Sequence, residues 1–222
     1  MGNRVLGGPG NRSSSVADEL ADRAVDERRA AYADEVRRLI DAAYDVMRAT
    51  GDIEPRVGDV VRAAGLSNQA FYRHFRSKDE LLLAVLTDGR QRLEHTLSAR
   101  MANAPAGVPQ IVAWIEVVLA QARDRTAAEN TRPFAVNGHR LADRFPEQWS
   151  ASRSALLAPL RDAITAVHTV GAGDPARDAE AIYNLAFGAM ETAIVRRVVP
   201  TRDEVDHLVA FAVAGIERSH HG

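Results

Sequence analysis

The chain has 222 residues, 46% of them apolar, and a formal net charge of −2. That suffices for a hydrophobic core but excludes a protein coated in positive charge. It has no cysteine, which rules out disulfides, thiolate metal sites and a cysteine nucleophile. No apolar run approaches the roughly 18 residues that a membrane-spanning helix needs.

The first 15 or so residues are rich in Gly, Ser and Asn and read as an unstructured tail. Arg4 and Arg12 offer the alternative of a flexible arm in a minor groove. The tail carries no apolar signal core, so a cytoplasmic chain is expected. Val16 to Arg29 is charged and loosely periodic, and extends the helix that follows. Tyr32 to Thr50 is that helix, with Val36, Leu39, Ile40, Ala43, Tyr44 and Met47 at helical spacing. Gly51 ends it.

Val57 to Ala64 predicts a second, short helix after Pro55. Gly65 suits a sharp turn, because glycine takes a left-handed backbone at little cost. Ser67 caps a third helix that reaches Phe75. Ser77-x-x-Glu80 is a capping-box pattern opening a fourth, which carries Leu81, Leu82, Val85, Leu86, Leu93, Leu97 and Met101.

The remainder predicts further helices: Pro109–Arg125, a short broken piece from Thr131 to Phe145, Pro146–Thr169 with Pro159 bending or splitting it, one opened by Asp174 and Pro175, and a last one ending near Arg218. No strand pattern appears. The fold class is all-α.

Helices two and three with the turn between them read as a helix-turn-helix. From Val60 to Lys78 there is no acidic residue, while Arg62, Arg73, Arg76, Lys78 and His74 are present; Lys78 is the only lysine in the chain. A compact basic face on a nearly neutral protein is therefore expected, since more distant charges are screened. Leu66, Phe71 and Phe75 read as core. Asn68 and Gln69 fall in the first turn of the third helix, where either side chain can pair with adenine in two places. Ala70 is small enough for close approach and for contact with a thymine methyl. Lys78, at the start of the fourth helix, has both its charge and the free amides there to offer a phosphate. Arg73 and Arg76 add positive potential.

Ala64-Gly65-Leu66-Ser67, Phe71-Tyr72-Arg73-His74-Phe75 and Ser77-Lys78-Asp79-Glu80-Leu81 together resemble the DNA-binding domain of the TetR family of bacterial transcriptional regulators. The resemblance covers about Tyr32 to Leu86; beyond it only length and helical character agree. It implies that Tyr72 and His74 contact phosphates, and makes Arg56, Ser67, Asn68, Gln69, Ala70, Tyr72, Arg73, His74 and Lys78 the expected DNA-binding set. Arg56 enters because Pro55-Arg56 stands where the family often has a hydroxyl residue. The resemblance divides the chain into an extension (1–29), a helix-turn-helix domain (30–78) and a larger ligand-binding and dimerisation domain (79–222).

One short recognition helix reads few base pairs, so a homodimer on a near-palindromic duplex is expected. The last two helices are the expected interface: Ile182, Leu185, Ala186, Ala189, Met190 and Ala193 on one, Val205, Leu208, Val209, Ala212, Gly215 and Ile216 on the other. The resemblance implies a four-helix bundle there. It also implies a pocket for a hydrophobic or amphipathic effector, with Leu97, Met101, Trp114, Val118, Phe134, Phe145, Trp149 and Phe187 as candidate lining and His139 and Arg140 available to an anionic group. Plain core is the competing reading of each apolar candidate, and simple solvation that of His139 and Arg140.

No His-Glu-x-x-His, Gly-x-Ser-x-Gly, phosphate-binding loop or paired carboxylates stand out, so no enzyme, metal or cofactor is expected. The reading is a ligand-responsive repressor. The alternative is a helical protein–protein adaptor that has lost DNA binding, for which the near-neutral charge speaks.

Overall fold

Helix α1 runs from Val16 to Thr50 without a break. At roughly 1.5 Å per residue it is about 50 Å long. The computed structural model describes residues 15–167 and 173–219; Arg4 and Arg12 lie outside them. A capping box starts the helix. The Ser15 hydroxyl accepts from the Asp18 N–H at 3.3 Å, and the Asp18 carboxylate accepts from the Ser15 N–H at 3.0 Å. The extension expected of Val16–Arg29 is therefore real, and the boundary drawn between residues 29 and 30 falls inside one continuous helix. Val16, Leu20 and Val25 on this extension are exposed.

Helices α2 (Val57–Ala64), α3 (Asn68–His74) and α4 (Lys78–Ala102) follow. Gly51 and Gly65 end α1 and α2 with φ of 73° and 64°, a region costly for other residues. Ser67 caps α3, its hydroxyl accepting from the Ala70 N–H at 3.1 Å. The Ser77 hydroxyl accepts from the Glu80 N–H at 3.2 Å, but the Glu80 carboxylate takes the Arg76 N–H at 2.6 Å. The expected capping box is thus displaced by one residue on its return side.

The remaining helices are α5 (Val108–Arg123), α6 (Arg125–Val136), α7 (Gly138–Arg144), α8 (Pro146–Val167), α9 (Pro175–Arg196) and α10 (Arg202–Ser219). The broken piece expected from Thr131 is two helices, the first beginning six residues earlier. Asp124 is the reason. Its carboxylate accepts from the Ala127 N–H at 2.8 Å, so the chain stops α5 and restarts at once. Pro133 lies inside α6 and Pro159 inside α8, and neither helix is split. Asp174 caps α9 as expected, accepting from Ala176 and Arg177 N–H groups. Among the described residues there is no strand.

Two hydrophobic cores form. The N-terminal one gathers Leu39, Ala43, Met47, Ile53, Val60, Phe71 and Phe75 with Leu81, Leu82 and Val85 of α4. Phe71 is fully enclosed, and truncating such a side chain to alanine costs about 3–5 kcal/mol. The second core packs Leu97 and Met101 of α4 with Ile111, Trp114, Ile115, Leu160, Ile164, Ala186 and Met190. Helix α4 thus belongs to both cores. So does the α6–α7 region: Leu141 and Phe145 reach back into the N-terminal core.

Candidate nucleic-acid interface

The helix-turn-helix is held from outside itself. Arg38 of α1 donates to the Ala64 carbonyl from Nε (3.1 Å) and Nη2 (2.5 Å), and from Nη2 to the Gly65 carbonyl (3.2 Å). These carbonyls end α2 and lack helical partners of their own. A Cβ on Gly65 would stand 3.1 Å from that guanidinium, a second reason for glycine there. The fixed turn sets the direction of α3.

With Phe71 turned inward, the first turn of α3 presents Asn68 and Gln69 to solvent. Tyr72 is 61% exposed, its ring edge-on to Phe71 at 5.2 Å. Ser67 is exposed, and its hydroxyl is engaged by the cap. Arg56 precedes α2 with no side-chain cap bond. Arg56, Arg76 and Lys78 are exposed, and their side chains have no ion pair among the described residues, although the Glu80 carboxylate sits on the Arg76 backbone N–H. Lys78 opens α4, where its ammonium joins the free first-turn amides.

Three of the nine expected residues sit differently. Ala70 is only 6% exposed; it packs beneath α3 and is not offered to a thymine methyl. The His74 side chain is fully enclosed. Its Nε2 donates to Glu35 Oε2 at 2.5 Å, Tyr32 lies edge-on at 4.3 Å, and Nδ1 is buried without a hydrogen bond. It therefore presents nothing to a phosphate in this conformation. Arg73 shares the same carboxylate oxygen, so its charge is largely matched. Arg62 is matched too, by Asp59 at 3.0 Å. The positive face narrows to Arg56, Arg76 and Lys78. Its missing counterweight is Glu35, an acid outside the basic window that no local signal connects to α3. Hydrogen bonds from His74 and then Arg73 hold the Glu35 carboxyl below its ordinary value.

The eight expected effector residues do not come together. A cavity of about 440 Å³ lies between α4, α6 and α9, with Tyr44 of α1 at one end. Of the eight, only Phe134 and Phe187 line it. Leu97, Met101, Trp114 and Val118 are buried in the second core, and the Trp114 indole donates to the Leu156 carbonyl at 3.1 Å. Phe145 belongs to the N-terminal core. Trp149 is 37% exposed. Arg140 is bonded to Glu54 and Asn137, and His139 is exposed; neither lines the cavity. The wall includes the apolar Val85, Leu86, Leu93 and Met190 and, among polar groups, Arg90, Arg92, Gln121, Asp124 and Thr131. At its inner edge the Tyr44 hydroxyl donates to the Val85 carbonyl at 2.9 Å, and burial raises the Tyr44 pKa.

The expected dimer face divides likewise. Ile182, Ala186, Met190, Ala193, Val205, Ala212 and Ile216 are buried within the single chain, where they form its second core. Leu185, Ala189, Leu208 and Val209 are half-buried. Phe211 is 60% and Val195 42% exposed, and neither stands in the expected set. Gly188 and Gly215 face open space.

A short helix with polar side chains in its first turn, fixed by a glycine turn and flanked by unpaired cations, defines the helix-turn-helix class. The sequence profile described as bacterial regulatory proteins, tetR family, matches residues 39–85. The HTH-type transcriptional regulator SrpR of Pseudomonas putida is 34% identical over 90 residues, 40% of this chain and 42% of that one. The uncharacterized HTH-type transcriptional regulator TtgW, also of Pseudomonas putida, is 34% identical over 90 residues, 40% of this chain and 67% of that one. The match therefore spans less than half of SrpR and two thirds of TtgW. A TetR-like transcriptional regulator from Rhodococcus sp. RHA1 has the same fold, with a TM-score of 0.64 and 18% identity over 82% of this chain and 96% of that one. The chain belongs to the TetR family.

Proposed function

We propose that this protein is a DNA-binding transcriptional regulator that places α3 in the major groove. The observation that carries the reading is the exposure of Asn68 and Gln69 in the first turn of α3, on a helix anchored by Phe71 and flanked by the free charges of Arg56, Arg76 and Lys78. Amide side chains in that place suit base edges, and the cations suit the phosphates on either side. Tyr72 adds a phenol beside them. Its place of work is the cytoplasm, beside the chromosome. No helix among the described residues is long and apolar enough to cross a membrane.

The working unit is a homodimer on a near-palindromic operator. Its interface is the outward side of α9 and α10, which carries the half-buried Leu185, Ala189 and Leu208 and the exposed Phe211. The buried residues of the same helices support this face from beneath. Repression released by a small hydrophobic or amphipathic effector is the mode we assign, with the 440 Å³ cavity as the effector site. Residues 30–78 then act as reader and 79–222 as sensor, with α4 shared between them.

The route from sensor to reader is short. Val85 to Thr96 of α4 line the cavity, and Lys78 begins the same helix. Arg144 of α7 bonds Glu54 at 2.8 Å and also pairs with Asp79 at the start of α4. An effector that prefers a different tilt of α4 shifts the population of that tilt, and both recognition helices leave the spacing of roughly 34–36 Å that successive grooves demand.

Selection of bound duplexes from a random pool tests the reading. A two-fold symmetric consensus whose affinity falls steeply with salt is expected. An absence of any enriched duplex would instead favour the adaptor that the near-neutral charge allows.

A further inference from the structure

We propose a second ligand site in this protein, for an amphipathic anion: a carboxylate or phosphate head on an apolar tail. A cleft of about 800 Å³ lies between the end of α1, the α5–α6 junction and the end of α9, apart from the effector cavity. Its lining charges are Arg48, Arg123, Arg125, Arg132 and Arg197 against the single carboxylate of Glu129.

The ion pairs leave this imbalance in place. Arg125 pairs with Glu129 at 3.1 Å, and Arg48 with Asp45 at 2.6 Å. Arg132 donates to the Ile194 and Val195 carbonyls at 3.1 and 2.8 Å; this positions it without cancelling its charge. Arg123 and Arg197 have no acidic partner among the described residues. Asp124, between two of the arginines, faces the other cavity and caps α6. Arg123, Arg132 and Arg197 thus share one cleft with no carboxylate partner of their own, in a chain whose net charge is negative. A cleft with an excess of one sign of charge and apolar walls focuses potential and draws in a counter-ion, and guanidinium groups match carboxylate and phosphate oxygens.

Backbone conformation points to the same place. Arg197 has φ 57° and is the only residue other than glycine with positive φ among the described residues. It occupies the left-handed position that ends α9, where glycine is the unstrained choice. Keeping an arginine there sacrifices stability, and such strain gathers at functional positions. The floor and rim are apolar: Ile194 is buried, while Val136, Val198 and Val199 are 53%, 54% and 63% exposed. These valines form a track for a hydrocarbon tail beside the arginines. The site does not depend on nucleic-acid binding.

Calorimetric titration of the full chain at low ionic strength, with decanoate, decyl phosphate, 1-decanol and inorganic phosphate, tests the proposal. One of the two charged amphiphiles should bind about tenfold tighter than decanol and than phosphate alone. In the Arg123→Gln/Arg197→Gly double variant that preference should vanish while decanol binding stays unchanged. Arg197→Gly alone should raise the melting temperature, since glycine relieves the backbone, so lost binding there is not lost folding. Equal affinity for decanol and both charged amphiphiles, equal affinity for phosphate alone, or an undiminished preference in the double variant would each overturn the proposal.

Discussion

Glu35 and His74, 39 residues apart in the chain, meet at 2.5 Å, with the imidazole fully enclosed and the carboxylate also holding Arg73. One α1 side chain thereby fastens the last turn of the recognition helix. The Glu35 carboxyl lies below its ordinary 4.5 because the charged form receives these hydrogen bonds. A carboxyl depressed in the folded state stabilises the fold above the unfolded value and stops doing so as pH falls through the folded one. Wild type should therefore melt above Glu35→Gln at pH 7, and the gap should close as pH drops below about 4.5. Melting curves across that range check this; a gap independent of pH would show that the charge of Glu35 plays no part.

The junction of α1 and α4 is similarly exposed to a single methyl group. A Cβ on Gly89 would lie 2.9 Å from the Tyr44 hydroxyl, which donates to the Val85 carbonyl. Gly89→Ala must displace that hydroxyl and leave a buried polar group unmatched, at a cost of about 1–3 kcal/mol. Tyr44→Phe removes the atom in the way. Denaturant unfolding of the two single variants and the double should give a double-variant loss smaller than the sum.

For DNA, exposure and charge separate two kinds of contact. Lys78→Ala should weaken every duplex by a similar factor and lower the salt slope by about one. Gln69→Ala should relax preference at particular base pairs, at about 1–3 kcal/mol for the preferred base. Quantitative binding to a family of singly substituted operators distinguishes the patterns.

On the outward side of α9 and α10, Phe211→Glu should convert the proposed dimer to a monomer without unfolding it, because the side chain is already 60% exposed in one chain and burying an unpaired charge in an interface is costly. Sedimentation together with far-ultraviolet circular dichroism measures both. Ala212→Glu, at a position 5% exposed, should unfold the protein instead.

Local chemistry was legible in the sequence: the Ser67 and Asp174 caps, the Gly51 and Gly65 stops, the inward Phe71 and Phe75, and the polar turn of Asn68 and Gln69. Each depends on residues within about one helical turn, so spacing alone reveals it. The Asp124 cap was missed, because Arg123 and Arg125 on either side are good helix formers and the chain reads as helix straight through them. Contacts between distant segments were another matter. Nothing near Arg73 or His74 announces Glu35, and nothing in Leu141 or Phe145 announces that they complete the N-terminal core.

Helix faces were the hardest case. In α9, Ile182, Ala186, Met190 and Ala193 make one stripe, while Leu185 and Ala189 make its neighbour. Apolar residues on adjoining stripes merge into a single broad face on paper. The amino-acid sequence by itself determined most helix ends, those at Gly51, Gly65, Ser67 and Asp174 among them, and which short helix meets solvent with polar side chains, because those depend on backbone hydrogen bonds a few residues apart. Only tertiary structure decided which apolar stripe a single chain consumes, where cavities remain and which charges cancel. Those outcomes depend on the packing of segments that the chain brings together from far apart.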